Sequence, residues 1–254
     1  NRVPAAGKTS GNFVTLHNGN IVKFKGSNSY YGNFSDILIM NRGVHEPLEE
    51  YVFQEVLEKL DKKEKQTMLE LGAYWGHYSM WMKSSCPNAF CTLVEPDKNG
   101  IEAGKYNFKI NGFDANFICA KVSSKEFNVD EFLINSPDGN LTMLHSDIQG
   151  YEKEMLLGAS KSLDEERIDH VLISTHSNYL HYECIRILES KGYIIRAHAD
   201  YDSETTSCDG FIYATSKKIT KYSSFPLILG RESLAKKSTN PNNFLLDYLS
   251  SFNS

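Results

Sequence analysis

The sequence has no CxxC pair, no apolar run long enough to span a bilayer, no excess of positive charge and no internal repeat. Each absence removes a class of protein. The five cysteines, Cys86, Cys91, Cys119, Cys184 and Cys208, are odd in number and widely spaced. That pattern argues against a disulfide framework or zinc site and for free thiols in a reducing compartment, so a cytoplasmic location is expected. A membrane helix needs ~20 apolar residues in succession, and no such window occurs. The formal charge of -5 leaves no basic footprint, so nucleic acid is not an expected partner. With 41% hydrophobic and 23% charged residues the composition excludes disorder and fibre. A chain of 254 residues buries a real core and fits one large domain with modest additions.

What is present is an alternation of apolar runs and amphipathic stretches. "NFVTLHNGNIVKFKG" reads as two short strands around an Asn-Gly turn. "EPLEEYVFQEVLEKLDKK" puts Leu48, Val52, Val56 and Leu60 at helical spacing, with Pro47 at the start and lysines at the end. The runs "TMLEL", "FCTLVE", "ANFICA", "LTMLHSD" and "HVLISTH" read as buried strands separated by helices, the pattern of a parallel sheet covered on both faces. "YIIRAHA" and "GFIYAT" are joined by a polar loop too short for a crossover helix, so they should pair antiparallel at a sheet edge. The expected organisation is an N-terminal hairpin and connecting segment over residues 1–45, a main domain over 46–215 and a C-terminal appendage over 216–254, with a helix at "NNFLLDYLSSF".

The chemistry gathers at "LELGAYWGHYSMWM", residues 69–82. Glu70 ends a strand, Gly72 and Gly76 bound a turn, and Ser79 lies one turn into the next helix. Glycine there keeps the backbone open to a ligand, although a tight turn without a ligand would be written the same way. The next strand ends in Glu95, twenty-five residues after Glu70, where a carboxylate can accept from both hydroxyls of a ribose. A dinucleotide site wants GxGxxG, and Gly72-Ala-Tyr-Trp-Gly76 lacks it. A nucleoside cofactor without phosphates fits better, and S-adenosylmethionine is such a molecule.

With "LVEPDKNGIEAGKYNFKING" and "LHSDIQGYEKEMLLGA", the glycine stretch resembles the three signature blocks of the FkbM-type S-adenosylmethionine-dependent methyltransferases, over roughly residues 40–215. The resemblance implies a class I methyltransferase fold: a Rossmann-like, seven-stranded, mostly parallel sheet with helices on both faces and an antiparallel last strand. It also implies O-methylation of a hydroxyl on a small molecule or glycan. Two positions depart from the family: Tyr74 where Asn is common, and Gln149 where Glu is. These departures keep a second reading open, a catalytically inactive S-adenosylmethionine-binding protein. A methyltransferase acting on RNA or protein is disfavoured by the acidic charge.

By position, Glu70, Gly72, Ala73, Tyr74, Gly76 and Ser79 are expected around the methionine end of the cofactor. Glu95 is expected at the ribose, and Pro96, Asp97, Ala120 and Lys121 near the adenine. Asp147 closes the fourth strand of the domain, where open α/β sheets present catalytic groups, and is expected at both cofactor and acceptor. Glu152, at a helix start, suits the helix dipole and reads as structural. His176 ends the neighbouring strand and has the unperturbed pKa of a general base. Asp147 with His176 could instead hold a divalent ion, but two ligands are too few to claim one. His17, His45, His170, His181 and His198 are scattered and read as structural, as do Tyr74, Trp75, Tyr78 and Trp81 as helix packing. Lys98, Lys105 and Lys109 read as a solvated helix face.

Overall fold

The computed structural model describes residues 2–27, 29, 35–220 and 230–237; the expected helix at 242–252 lies outside them. A three-stranded antiparallel sheet comes first, β1 (Thr9–Ser10), β2 (Phe13–Thr15) and β3 (Ile21–Lys23). Short α1 (Ile37–Met40) and long α2 (Pro47–Lys59) follow. The main sheet is built from β4 (Gln66–Leu71), β5 (Ala89–Val94), β6 (Asn116–Ile118), β7 (Leu141–Ser146), β8 (Ile168–Thr175), β9 (Ile194–Ala199) and β10 (Gly210–Thr215). The intervening helices are α3 (His77–Ser85), α4 (Lys98–Ile110), α5 (Val129–Asn135), α6 (Glu152–Leu157), α7 (Ser160–Asp164) and α8 (Asn178–Ser190), with α9 (Arg231–Lys237) beyond.

The strand order is β6-β5-β4-β7-β8-β10-β9. Strands β4 to β8 pair in parallel, and β10 runs antiparallel between β8 and β9. This is the class I methyltransferase fold, and the expected antiparallel edge pair is β9 with β10. The apolar side chains form two cores, one on each face of the sheet. Burial on both faces explains why β7 and β8 read as continuous apolar runs rather than alternating ones.

The N-terminal hairpin is part of the body of the fold. Val14, Leu16, Val22 and Phe24 belong to the same core as Met80 and Phe108. The edge of β3 is closed by α4: the Asn111 side chain accepts from the Ile21 amide (2.8 Å) and donates to the Ile21 carbonyl (2.7 Å), while Asn107 accepts from the Lys23 amide (3.2 Å). An otherwise open strand edge is thereby satisfied.

Helix α3 begins without a capping side chain of its own, because its N-cap is Gly76 at φ 77°. Glu70, at the end of β4, supplies the missing acceptor: its carboxylate takes the amides of Ser79 (2.8 Å) and Tyr78 (3.3 Å). The strand therefore caps the helix it feeds. Gly72 is left-handed at φ 69°, and a Cβ there would overlap the carbonyl oxygen of Asp147. Backbone rather than ligand fills that space. Replacing Gly72 by Ala should therefore cost more than about 2 kcal/mol of stability in urea denaturation, from overlap added to the left-handed penalty. Gly112→Ala, at φ 73° with nothing within 4 Å of the added carbon, should cost about 1–2 kcal/mol. Equal losses at the two sites would contradict the overlap.

Candidate functional site

Chain order reverses between β4 and β7, the switch point at which open α/β sheets bind ligands beyond their carboxyl ends. Two adjoining cavities open there. The first, of about 330 Å³, is lined by Glu70, Gly72, Ala73, Tyr74, Glu95 and Asp147, with His45, Glu46, His77, Tyr78 and His145 above them. The second, of about 340 Å³, is walled by Pro96, Lys121, Val122, Ile148 and Tyr151. Gly72, Glu95, Asp147 and Gln149 line both, so the two form one groove with acidic groups at its waist. A larger cavity of about 590 Å³ includes Thr67, Phe90 and Leu141, at the amino ends of the strands and away from the switch point.

Most of the expected cofactor residues meet in this groove. Gly76 and Ser79 line neither cavity: a Cβ at Gly76 would crowd Phe108 and Leu93, and Ser79 is fully buried on α3. Ala120 is likewise absent from the walls, whereas Lys121 is present, its ammonium over the Tyr151 ring at 4.0 Å. Glu95 accepts from the amides of Tyr74 (3.0 Å) and Asp97 (2.8 Å). Burial raises its pKa against the pull of those amides. The two departures from the family pattern share a feature: Tyr74 (φ 40°) and Gln149 (φ 52°) are both left-handed without being glycine. Such strain clusters at ligand sites, and Asn tolerates it more readily than Tyr.

Asp147 and His176 are brought together as expected, with Asp147 Oδ1 3.2 Å from His176 Nε2. Two further carboxylates join them. Glu152 Oε1 lies 2.7 Å from Nδ1 and Asp209 Oδ1 3.5 Å from Nε2. Burial alone would lower the pKa of His176, but hydrogen bonds and charge from Asp147 and Glu152 raise it to about 10. Asp147 is the converse, pushed up by burial but held low overall by His176. One cation cannot satisfy three carboxylates, and Asp209, half-buried and beside Asp147, Glu49 and Glu152, is raised to about 6. Glu152 also accepts from the Gly150 amide at 2.9 Å, which accords with its structural reading.

Sequence reasoning missed a second acidic group. Glu46, Glu49 and Glu50, at the start of α2, are all buried. Glu49 meets His145 Nε2 at 2.6 Å and accepts from Ser174 Oγ at 2.7 Å. Glu46 accepts from Tyr78 Oη at 3.3 Å. Burial, then the neighbouring carboxylates, raises Glu46 well above the ordinary range, and burial lowers His45. Burial thus favours the neutral acid at Glu46 and the unprotonated imidazole at His45. A signal was available: Glu46, Glu49 and Glu50 continue the stripe of Phe53, Val56 and Leu57 at helical spacing. Acidic residues in a first turn have a simpler explanation in the helix dipole, which hid it.

The model of the methyltransferase small domain matches residues 53–181, more than half of the chain. The chain belongs to the methyltransferase small-domain family. No curated protein matches the sequence. Among solved structures the chain is similar to precorrin-6y C5,15-methyltransferase from Geobacter metallireducens GS-15, with 16% identity, 66% of this chain and 88% of that one covered, and a TM-score of 0.48. It is similar to ribosomal protein L11 methylase from Lactobacillus delbrueckii subsp. bulgaricus, with 12% identity, 66% and 79% covered, and a TM-score of 0.46. It is also similar to M. capricolum TrmK in complex with S-adenosyl-homocysteine, with 15% identity, 80% and 92% covered, and a TM-score of 0.45. Similarity at this level carries nothing about the acceptor.

The methyltransferase-family match contains β4, α3, β7 and His176 but leaves out Glu46, Glu49, Glu50 and Asp209. The additional acidic groups therefore come from the parts of this chain outside that match. All five cysteines are free thiols, three of them buried, and no helix among the described residues is long and apolar enough to cross a membrane.

The His176 cluster makes a signed prediction. The folded-state pKa, about 10, lies above the ordinary 6.5, so its stabilisation is complete below about pH 6.5 and lost as pH rises through about 10. The stability difference between wild type and His176→Gln, followed by urea denaturation, should shrink across that window. A difference that grows with pH would contradict a charged His176.

Proposed function

We propose that the protein transfers a methyl group from S-adenosylmethionine to a hydroxyl oxygen of a small molecule or glycan, in the manner of the FkbM-type enzymes it resembles. The observation that carries the cofactor assignment is the groove at the β4/β7 switch point with Glu95 at its waist. The fit follows from its chemistry. The first cavity is rich in carboxylates, Glu70, Glu95, Asp97 and Asp147, which suits a sulfonium and an ammonium. The second offers Val122, Ile148 and the Tyr151 ring to a flat base. Glu95, between them, would take the ribose hydroxyls, and Pro96 would border the base. When bound, S-adenosylmethionine supplies an electrophilic methyl group.

Methyl transfer to a hydroxyl also needs a proton acceptor. We assign Asp147 and His176 to the acceptor side as one unit. His176, charged and held by Asp147, Glu152 and Asp209, positions Asp147 rather than acting as the neutral base its strand-end place suggested. Asp147 accepts a hydrogen bond from the acceptor hydroxyl and orients it. The unprotonated imidazole of His45, on the same cavity, receives the proton.

Two measurements test this reading. Glu95→Ala should weaken S-adenosylmethionine binding by about 1.5–3 kcal/mol in calorimetry, the range for hydrogen bonds to a charged group; unchanged affinity in a folded variant would remove the ribose assignment. In a methyl-transfer assay over sugars, glycans and phenols, His45→Ala should lower turnover by about a hundredfold or more with cofactor affinity nearly kept, and Asp147→Asn should lower turnover as much while also weakening cofactor binding. Full turnover in both would overturn the assignment of the chemistry.

A further inference from the structure

His17, Glu50 and His77 converge from three separate parts of the chain: the turn after β2, the first turns of α2 and the first residue of α3. Their donor atoms lie within 4.8 Å of one another and all three residues are buried. His17 Nε2 is 2.8 Å from Glu50 Oε2, and His77 Nε2 is 3.4 Å from Glu50 Oε1. Around a tetrahedral zinc ion with bonds of about 2.0–2.1 Å, neighbouring donors stand about 3.3 Å apart. The observed spacings straddle that value.

An ordinary buried ion pair explains the group less well. His17 Nε2, Glu50 Oε2 and both ring nitrogens of His77 are buried and, among the described residues, meet no hydrogen-bond geometry. Exposures of 4%, 2% and 2% for His17, Glu50 and His77 keep all three side chains away from bulk solvent. Buried polar atoms without hydrogen bonds cost about 1–3 kcal/mol each. Three buried donors gathered this closely are placed to share one ion.

Backbone hydrogen bonds and ring packing hold the three residues in place. The His17 amide donates to the Gly43 carbonyl (3.0 Å) and its own carbonyl accepts from Val3 (2.9 Å). The His77 ring is stacked on Trp75 at 4.8 Å, and His17 meets the edge of Trp81 at 4.4 Å. Glu50 Oε1 accepts from the amides of His45 (2.6 Å) and Glu46 (2.8 Å), which fixes the carboxylate with Oε2 toward His17 and Oε1 toward His77. A carboxylate hydrogen-bonded in this way is common among metal ligands.

We propose that His17, Glu50 and His77 bind one divalent transition-metal ion, and that its chemistry is that of zinc: two imidazoles and one carboxylate suit it and suit magnesium or calcium poorly. The ion ties the N-terminal hairpin and α2 to the helix that leaves the glycine turn. Three protein donors leave a further position for water. The site is independent of the methyl-transfer reading, and its test needs no turnover.

The full chain, stripped with a chelator and then dialysed against zinc sulfate and metal-free buffer, should retain about one zinc ion per chain by elemental analysis. Zinc-edge X-ray absorption on the wild type should show a light-atom shell at about 2.0–2.1 Å with imidazole outer scattering and no sulfur at about 2.3 Å. His17→Gln, Glu50→Gln and His77→Gln should each weaken zinc binding by more than about tenfold. Failure to retain zinc, a sulfur shell, an imidazole-free shell, or undiminished binding in the folded variants would each overturn the proposal. If the variants do not fold, the absorption spectrum of the wild type decides.

Discussion

The close approach of β4 and β7 at their carboxyl ends governs the arrangement of the site. The Asp147 amide donates to the Leu71 carbonyl at 2.9 Å, and the Asp147 carbonyl occupies the space a side chain at 72 would need. Because Gly72 yields that space, Asp147 stands beside the glycine turn, and from there it reaches His176 at the end of β8. The left-handed turn that follows delivers α3, whose first amides are capped by Glu70 from the strand itself. One backbone crossing thus fixes the floor of the groove, the orientation of the helix and the position of the acidic strand end.

Above that floor, α2 supplies an acidic roof. Burying three carboxylates in two turns of helix is expensive unless each finds a partner. Each finds a different one: Tyr78 for Glu46, His145 and Ser174 for Glu49, and His17 and His77 with two backbone amides for Glu50. Burial would raise Glu50, but the two imidazoles hold it below the usual carboxylate range. The partners come from α3, β7, β8 and the hairpin, so the N-terminal segment is locked to the sheet by polar contacts as well as by the core. This coupling makes Glu46 and His45 walls of the same cavity as Gly72 and Asp147.

The sheet was legible because its signals are local. Apolar runs bounded by turns mark β4, β5, β7 and β8, and the short loop between the last two runs marks the antiparallel pair. The strand-end positions of Glu95 and Gly72 were legible for the same reason, and both line the switch-point groove. Gly76 and Ser79 lie outside the groove walls, which the sequence did not show because a glycine turn does not say which glycine lines a cavity and which faces Phe108. His77 and the α2 carboxylates were invisible for a different reason: their partners are twenty-seven to 125 residues away, and no periodicity reports contacts at that range. The charge on His176 was likewise hidden, because it depends on Asp147 and Glu152 meeting its two ring nitrogens from the end of β7 and the start of α6.

The central claim is that the switch-point groove holds S-adenosylmethionine. A crystal structure of the full chain with S-adenosylhomocysteine tests it most directly. The account requires the ribose against the Glu95 carboxylate, the amino-acid end over Gly72 and Ala73, and the base between Pro96 and the Tyr151 wall. A cofactor product lodged in the cavity at the amino ends of the strands, or one in the groove with its ribose away from Glu95, would contradict it.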